Sequence, residues 1–189
     1  MFGAGGGTSS YRDIEETDVI LLWGSNARET HPIFFHHVLK GIRNGAKLVV
    51  VDPRKTSSAR FADLWLGLNV GSDIALSHTV AREIIVSGLH NRAFIENGTS
   101  GFASYQACVM DWTLERGERV TGIPAAAIRE LAHMYARADR AILCWTLGLC
   151  FVNGTVIKRT TLGGHNIDLP VCNADVEVYE VDALYIIVA

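Results

Sequence analysis

Two short apolar runs, separated by an amphipathic segment, constrain the fold of this chain more than any other feature of its sequence. The runs are VILLW over 19–23 and LVVV over 48–51. Uninterrupted apolar runs of this length are typical of parallel strands buried on both faces. Between them, His31-Pro32 opens a predicted helix that Asn44-Gly45 closes, with apolar residues at helical spacing at Ile33, Phe34, Val38, Leu39 and Ile42. The pattern predicts a βαβ unit.

Strand and helix continue to alternate up to about residue 149. The same patterns predict a strand over 64–68, a helix from Ser72 or Asp73 to Gly88, helices over 92–96, 102–111 and 125–135, and a strand over 141–145. Strands that alternate with helices form a doubly wound α/β fold. We therefore predict a mostly parallel sheet with helices on both faces.

Residues 150–189 depart from this alternation. They are rich in β-branched side chains, include the hairpin-like pair Asn153-Gly154 and show no helical period. We therefore predict two parts: an α/β domain over 1–149 and a β-rich C-terminal tail of uncertain origin over 150–189.

Composition and charge narrow the classes of partner. The 189 residues are 49% hydrophobic and carry a net charge of −3 with histidines neutral, which is typical of a packed globular protein and argues against nucleic acid as a partner. The start of the chain has no basic region followed by an apolar one, and its longest uncharged run, over 141–157, is too polar for a membrane span. We expect a cytoplasmic protein without membrane insertion.

Three loops combine small residues with polar side chains at predicted strand ends or at a helix start. In an α/β sheet, ligands bind where such loops meet helix N-termini. Each loop alone is ordinary turn chemistry, but together they outline a nucleotide pocket. The candidate binding residues are Gly24, Ser25 and Asn26, then Asp52, Pro53 and Arg54, and finally Gly71, Ser72 and Asp73.

Other recognisable site chemistries are missing from the sequence. The glycine-rich segment 3–7 precedes the first strand, so it does not fit the dinucleotide fingerprint, and no phosphate-binding GxxxxGK[ST] loop occurs. The four cysteines form no CxxC pair, the histidines form no HExxH pair, and no GxSxG nucleophile turn is present. We predict neither catalytic residues nor metal ligands in this chain.

The order and spacing of several segments resemble a known family. WGSN, HP, VVDPRK, ADLWL, GSDIAL and VTGIP follow one another between residues 2 and 149. In this order they resemble the molybdopterin oxidoreductase family, and most closely its formate dehydrogenase alpha subunits. The resemblance implies an α/β domain that holds the guanosine end of molybdopterin guanine dinucleotide, on a molybdenum or tungsten centre. The nine residues of the three loops match the family's nucleotide site.

The resemblance also implies what the parent enzyme does. It would oxidise formate to carbon dioxide, passing two electrons to an iron–sulfur relay. The family's iron–sulfur module and metal ligand match no part of this sequence, so we expect a fragment that is inactive alone and whose partners are the cofactor and the remaining domains or electron-transfer subunits. The alternative is a non-catalytic nucleotide-binding module or an orphan α/β domain.

Overall fold

A computed structural model describes residues 10–145, which divide into two compact units. The first unit contains residues 10–66 together with 138–145, and the second contains residues 67–137. The predicted tail over 150–189 and its boundary at residue 149 lie outside the described residues, so the predicted domain division stays a prediction.

The first unit is built on a four-stranded parallel sheet with the strand order β3-β2-β1-β4. This confirms the predicted α/β class and the four predicted strands, of which the one predicted over 64–68 ends earlier, at Leu66. The elements of the unit are α1 (Tyr11–Glu16), β1 (Val19–Trp23), α2 (Ala27–Thr30), α3 (Pro32–Arg43), β2 (Lys47–Val51), a 3-10 turn (Ala59–Phe61), β3 (Leu64–Leu66) and β4 (Ala141–Trp145).

The core of the first unit centres on β1 and β2. All five residues of β1 are buried, as are Leu48 to Val51 of β2, so both strands are covered on both faces as predicted. Alternate residues of the two strands share one cluster with side chains from α1 and α3, because successive side chains of a strand point to opposite faces. The main members of that cluster are Ile14, Ile20, Leu22, Phe35, Val38, Leu48 and Val50.

The buried face of α3 differs from the predicted one at its start. Ile33, predicted to face the core, is 64% exposed, whereas Phe35 is only 3% exposed. Ile33 and Phe35 are two positions apart, which places them about 200° apart around an α-helix. Their side chains therefore cannot both point toward the core. Phe35 shares the inward face with Val38, and its ring lies edge-on to that of Phe61 with centroids 5.6 Å apart. Phe35, and not Ile33, therefore lies on the buried face of α3.

Helix α1 was not predicted from sequence, and it packs tightly on α3. It begins with a capping box in which Ser10 accepts from the Asp13 N–H and the Asp13 carboxylate accepts from the Ser10 N–H. Gly41 of α3 lies at the contact, because a Cβ there would be 2.5 Å from the Ile14 carbonyl oxygen. The Asn44 side chain also donates to the Glu15 carbonyl. The two helices therefore meet backbone to backbone.

The second unit is helical throughout its described length. It contains α4 (Asp73–Val86), α5 (Arg92–Gly98), α6 (Phe102–Val109), α7 (Leu114–Thr121) and α8 (Ala125–Arg137). The predictions of α4, α5, α6 and α8 are confirmed, but the polar α7 was not predicted. Helix α4 is buried on nearly all sides, and Gly117 of α7 packs directly against its Thr79. None of the helices between residues 10 and 145 is long and apolar enough to cross a bilayer.

Candidate binding site at the carboxyl edge of the sheet

The strand order of the first unit marks one edge of its sheet as the place for a ligand. From β1 the chain proceeds to β2 and β3 on one side, whereas β4 pairs with the other side of β1. In open α/β sheets, ligands bind outside the carboxyl ends of the strands, near the point where the order reverses. The loops that follow β1 and β2 lie at this carboxyl edge.

The loop after β1 is joined to β2 through its glycine. Gly24 has a φ of +62°, a conformation that favours glycine, and its N–H donates to the Val51 carbonyl oxygen over 2.8 Å. Ser25 is buried, and Asn26 precedes α2. The Asn26 side chain does not cap α2. The Asn26 amide is therefore available for contacts with other loop residues or with a ligand.

Two serines that follow β2 hold the Asn26 amide in place. Asn26 Oδ1 accepts from Ser57 Oγ over 3.1 Å and from Ser58 Oγ over 3.2 Å. Ser58 Oγ in turn accepts from the Arg28 N–H over 3.0 Å, so its single proton is available for Asn26. Within the described part of the chain no acceptor lies within hydrogen-bond distance of Asn26 Nδ2. The amide thus presents two N–H donors to a ligand.

Asp52 is fixed at three of its atoms. Its N–H donates to the Leu66 carbonyl over 3.1 Å, its carbonyl accepts from Trp65 Nε1 over 3.1 Å, and its Oδ1 accepts from the Arg54 N–H over 2.8 Å. The residue is only 7% exposed. No donor among residues 10–145 reaches the second carboxylate oxygen, Oδ2. Asp52 therefore offers a rigid acceptor at the carboxyl edge.

Two exposed cations follow Asp52 closely in sequence, and one of them lies over the Trp65 ring. Pro53, Arg54 and Lys55 are exposed, and Lys55 Nζ lies 5.6 Å from the centre of the Trp65 ring. Neither Arg54 nor Lys55 forms an ion pair with a carboxylate of the described residues. Two unpaired cations beside a rigid carboxylate suit a ligand that carries both hydrogen-bond donors and negative charge.

The structure brings six of the nine predicted residues together. Gly24, Ser25, Asn26, Asp52, Pro53 and Arg54 all lie at the carboxyl edge of the first unit. The other three belong to the second unit, where Gly71 has a φ of +85° and α4 begins at Asp73. Ser72 Oγ donates to the Asn69 carbonyl instead of accepting from the first turn of α4, as an N-cap would.

Sequence reasoning missed four residues of this edge: Thr56, Ser57, Ser58 and Trp65. The first three follow Asp52-Pro53-Arg54 within seven residues, so a run of hydroxyls after a strand-end loop was the available signal. Trp65 lies on β3, and its contact with the Asp52 carbonyl depends on the pairing of β3 with β2. Local sequence carries no sign of that pairing.

Two other polar groups among the described residues, Cys144 and the His133 cluster, lack the geometry or ionisation of a nucleophile with its base. Burial raises the pKa of the Cys144 thiol on β4 to about 12, so no thiolate is available at neutral pH. In the second unit, His133 Nε2 lies 3.2 Å from Glu83 Oε1 and 3.3 Å from Ser87 Oγ. Both contacts use the same ring nitrogen, so the imidazole cannot relay a proton between them as a catalytic triad requires.

The four-stranded parallel sheet and the helices around it define an α/β protein whose polar loops gather at the carboxyl edge of the sheet. The chain belongs to the molybdopterin oxidoreductase family, whose model matches residues 3–167. The matched residues include nearly all of the predicted α/β domain over 1–149 and extend 18 residues into the predicted tail.

Formate dehydrogenases are among its relatives. The chain is 40% identical to formate dehydrogenase H of Escherichia coli over 159 residues, which are 84% of this chain and 22% of that protein. It is also 40% identical to the F420-dependent formate dehydrogenase 2 subunit alpha of Methanococcus maripaludis over 148 residues, which are 78% of this chain and 22% of the relative. The chain thus spans about a fifth of the length of these relatives.

A solved structure shows the same fold. The acetylene hydratase of Pelobacter acetylenicus superposes with a TM-score of 0.67 and 30% sequence identity, over 74% of this chain and 19% of that one. Formate dehydrogenases and an acetylene hydratase thus share this fold with the chain. The fold alone therefore does not determine the reaction.

Proposed function

We propose that this chain is part of a formate dehydrogenase-like molybdopterin enzyme, in which it holds the guanosine end of molybdopterin guanine dinucleotide. The family membership supports a molybdopterin cofactor, and the names of the relatives favour oxidation of formate to carbon dioxide. The observation that carries the guanosine assignment is the pair of open polar groups at the carboxyl edge, Asp52 Oδ2 and Asn26 Nδ2.

The donor and acceptor pattern of guanine fits these groups. Guanine presents adjacent N–H donors at N1 and N2, which pair with a carboxylate, whereas adenine presents no such pair. Asp52 is held rigidly with one carboxylate oxygen open. The Asn26 amide donors suit a carbonyl or ribose oxygen, and the Arg54 guanidinium suits a phosphate. The residues present therefore fit the guanosine diphosphate portion of the cofactor.

The reaction itself would come from the cofactor and the rest of the parent protein. The bound cofactor supplies the metal-centred two-electron chemistry, while the residues of this chain bind and orient its nucleotide end. We propose that the partners are the remaining domains or electron-transfer subunits, that any iron–sulfur cluster is held there, and that the assembly works in the cytoplasm. Gly71, Ser72 and Asp73 remain proposed ligands on the family resemblance.

Calorimetric titration of the full chain with GDP tests the proposal. We expect saturable binding at one site and much weaker binding of ADP. Asp52→Asn retains an acceptor for the Arg54 N–H but replaces the open oxygen with a donor that opposes the guanine N–H groups. We expect it to weaken GDP binding by about 10-fold to 100-fold, the usual effect of losing a hydrogen bond to a charged group.

Asp63→Asn is the matched control. Asp63 is a partly exposed carboxylate that accepts from Lys47 Nζ and the Leu48 N–H at the start of β2, away from the carboxyl edge. The GDP affinity of the Asp63→Asn variant should stay within about twofold of that of the wild type. Equal binding of GDP and ADP would indicate a general nucleotide-binding module, and no binding by a folded wild type would favour an orphan α/β domain.

A further inference from the structure

One side chain of the carboxyl-edge loop has no partner in the structure. Thr56 is 9% exposed, and its Oγ1 is buried without a hydrogen bond. The side chains around it in sequence are otherwise satisfied or exposed: Ser57 and Ser58 donate to Asn26, and Arg54 and Lys55 extend into solvent. Buried hydroxyls in folded proteins are nearly always hydrogen-bonded, so an exception requires an explanation.

The position of Thr56 suggests that explanation. Its N–H donates to the Arg54 carbonyl over 2.8 Å, which fixes it in the turn that carries the two unpaired cations. A threonine side chain has three staggered rotamers, so rotation by about 120° about the Cα–Cβ bond moves the hydroxyl to a new position without moving the backbone. The surroundings of the turn favour an anionic oxygen as the group that this hydroxyl would then meet.

We infer that Thr56 is a ligand-binding residue whose hydroxyl rotates out of its buried position to donate to a phosphate oxygen of the bound nucleotide. The inference rests on the proposed nucleotide-binding function and extends it. Asp52 would recognise the base, while Thr56, with Arg54 beside it, would bind the diphosphate. In the free chain the hydroxyl is buried without a partner, and the ligand provides the partner that the protein lacks.

This arrangement predicts that one substitution changes stability and binding in opposite directions. Thr56→Val replaces the hydroxyl with a methyl group of similar size, which removes the unpaired buried polar atom from the free chain. We expect the unliganded variant to have a melting temperature equal to or above that of the wild type. We expect its GDP affinity to be about fivefold to tenfold lower, the usual effect of losing one hydrogen bond.

Two controls make the test specific. Thr56→Ser retains the hydroxyl and should bind GDP within about twofold of the wild type. Guanosine lacks phosphates, so its affinity should be the same for wild type and Thr56→Val. The experiment is calorimetric titration of each full-length variant with GDP and with guanosine, together with a thermal unfolding curve of each unliganded chain.

Each outcome has a definite meaning. Weaker GDP binding by Thr56→Val alone, with unchanged guanosine binding, supports the inference. Unchanged GDP binding by a folded Thr56→Val overturns it while leaving the proposed function intact. A lower melting temperature, or equal losses for GDP and guanosine, shows a structural role and also overturns it. If the wild-type chain binds no GDP, the proposed function fails first and the inference fails with it.

Discussion

Replacing Phe35 with alanine is expected to lower the free energy of unfolding by about 3–5 kcal/mol, the usual cost of removing a fully buried aromatic ring. Phe35 is almost wholly buried in the cluster between α3 and the sheet, and its ring packs edge-on against Phe61. The surrounding strands cannot close the resulting cavity, because β1 and β2 are fixed by their parallel pairing. Urea denaturation followed by circular dichroism measures the change.

Ile33→Ala provides the matched control on the same helix. Ile33 lies two residues earlier and is mostly exposed, so its truncation should change the unfolding free energy by no more than about 0.5 kcal/mol. Comparing the two variants shows which face of α3 is buried: the face with Ile33, as expected from sequence, or the face with Phe35, as observed. Equal destabilisation by both substitutions would show that α3 is rotated away from the orientation in which Phe35 faces the core and Ile33 faces solvent.

Gly41→Ala is expected to destabilise the chain by about 2–3 kcal/mol, although alanine is the better helix former. The added Cβ would lie 2.5 Å from the Ile14 carbonyl oxygen and 3.1 Å from Ile20 Cδ1. The first of these is a backbone atom, so α1 as a whole must shift, and insertion into a close contact usually costs this much. Urea denaturation of the variant and the wild type measures the difference.

Gly98→Ala is the control for the effect of replacing a helical glycine with alanine where no close backbone contact exists. Gly98 ends α5, and a Cβ there would make ordinary contacts of 3.5 Å with the Phe94 ring. Since alanine lowers the entropy of the unfolded chain, we expect no loss of stability and a gain of up to about 1 kcal/mol. A Gly41→Ala variant as stable as the wild type would mean that α1 does not pack on α3 as described.

The strands could be predicted from sequence because each is an unbroken apolar run, although only β1 and β2 are buried on both faces and β4 is partly exposed. Val19–Trp23 and Ala141–Trp145 were predicted with their observed bounds. The short helices α1 and α2 were not, because one or two turns of polar residues have no clear amphipathic period. The sequence also favoured Ile33 over Phe35 for the buried face of α3, because Gly41, which lies on that face with Phe35 and Val38, adds nothing to an apolar pattern.

The candidate site was predictable in part for a similar reason. A loop that follows a buried strand must lie at the carboxyl edge, so Gly24 to Asn26 and Asp52 to Arg54 could be placed by their positions in sequence. The Arg54 N–H, two residues along the chain, determines which carboxylate oxygen of Asp52 stays open. By contrast, the Trp65 contact with the Asp52 carbonyl spans thirteen residues, and the two serine contacts that orient the Asn26 amide span some thirty. These are tertiary contacts without a local signal. The division of the chain into two units also had none, since the helical segments of both look alike.

The strand order has a consequence for the sequence of events in folding. β1, β2 and β3 are close in sequence and can pair early, but β4 joins β1 only after residues 67–140 have been synthesised. Closing so long a loop carries a large entropic cost, so we expect the hydrogen bonds between β1 and β4 to form last. On the ribosome, the edge of β1 that pairs with β4 would thus stay unpaired while about seventy further residues are synthesised. At ordinary rates of synthesis this takes several seconds. This interval is when the nascent chain is most exposed to wrong pairing at that edge.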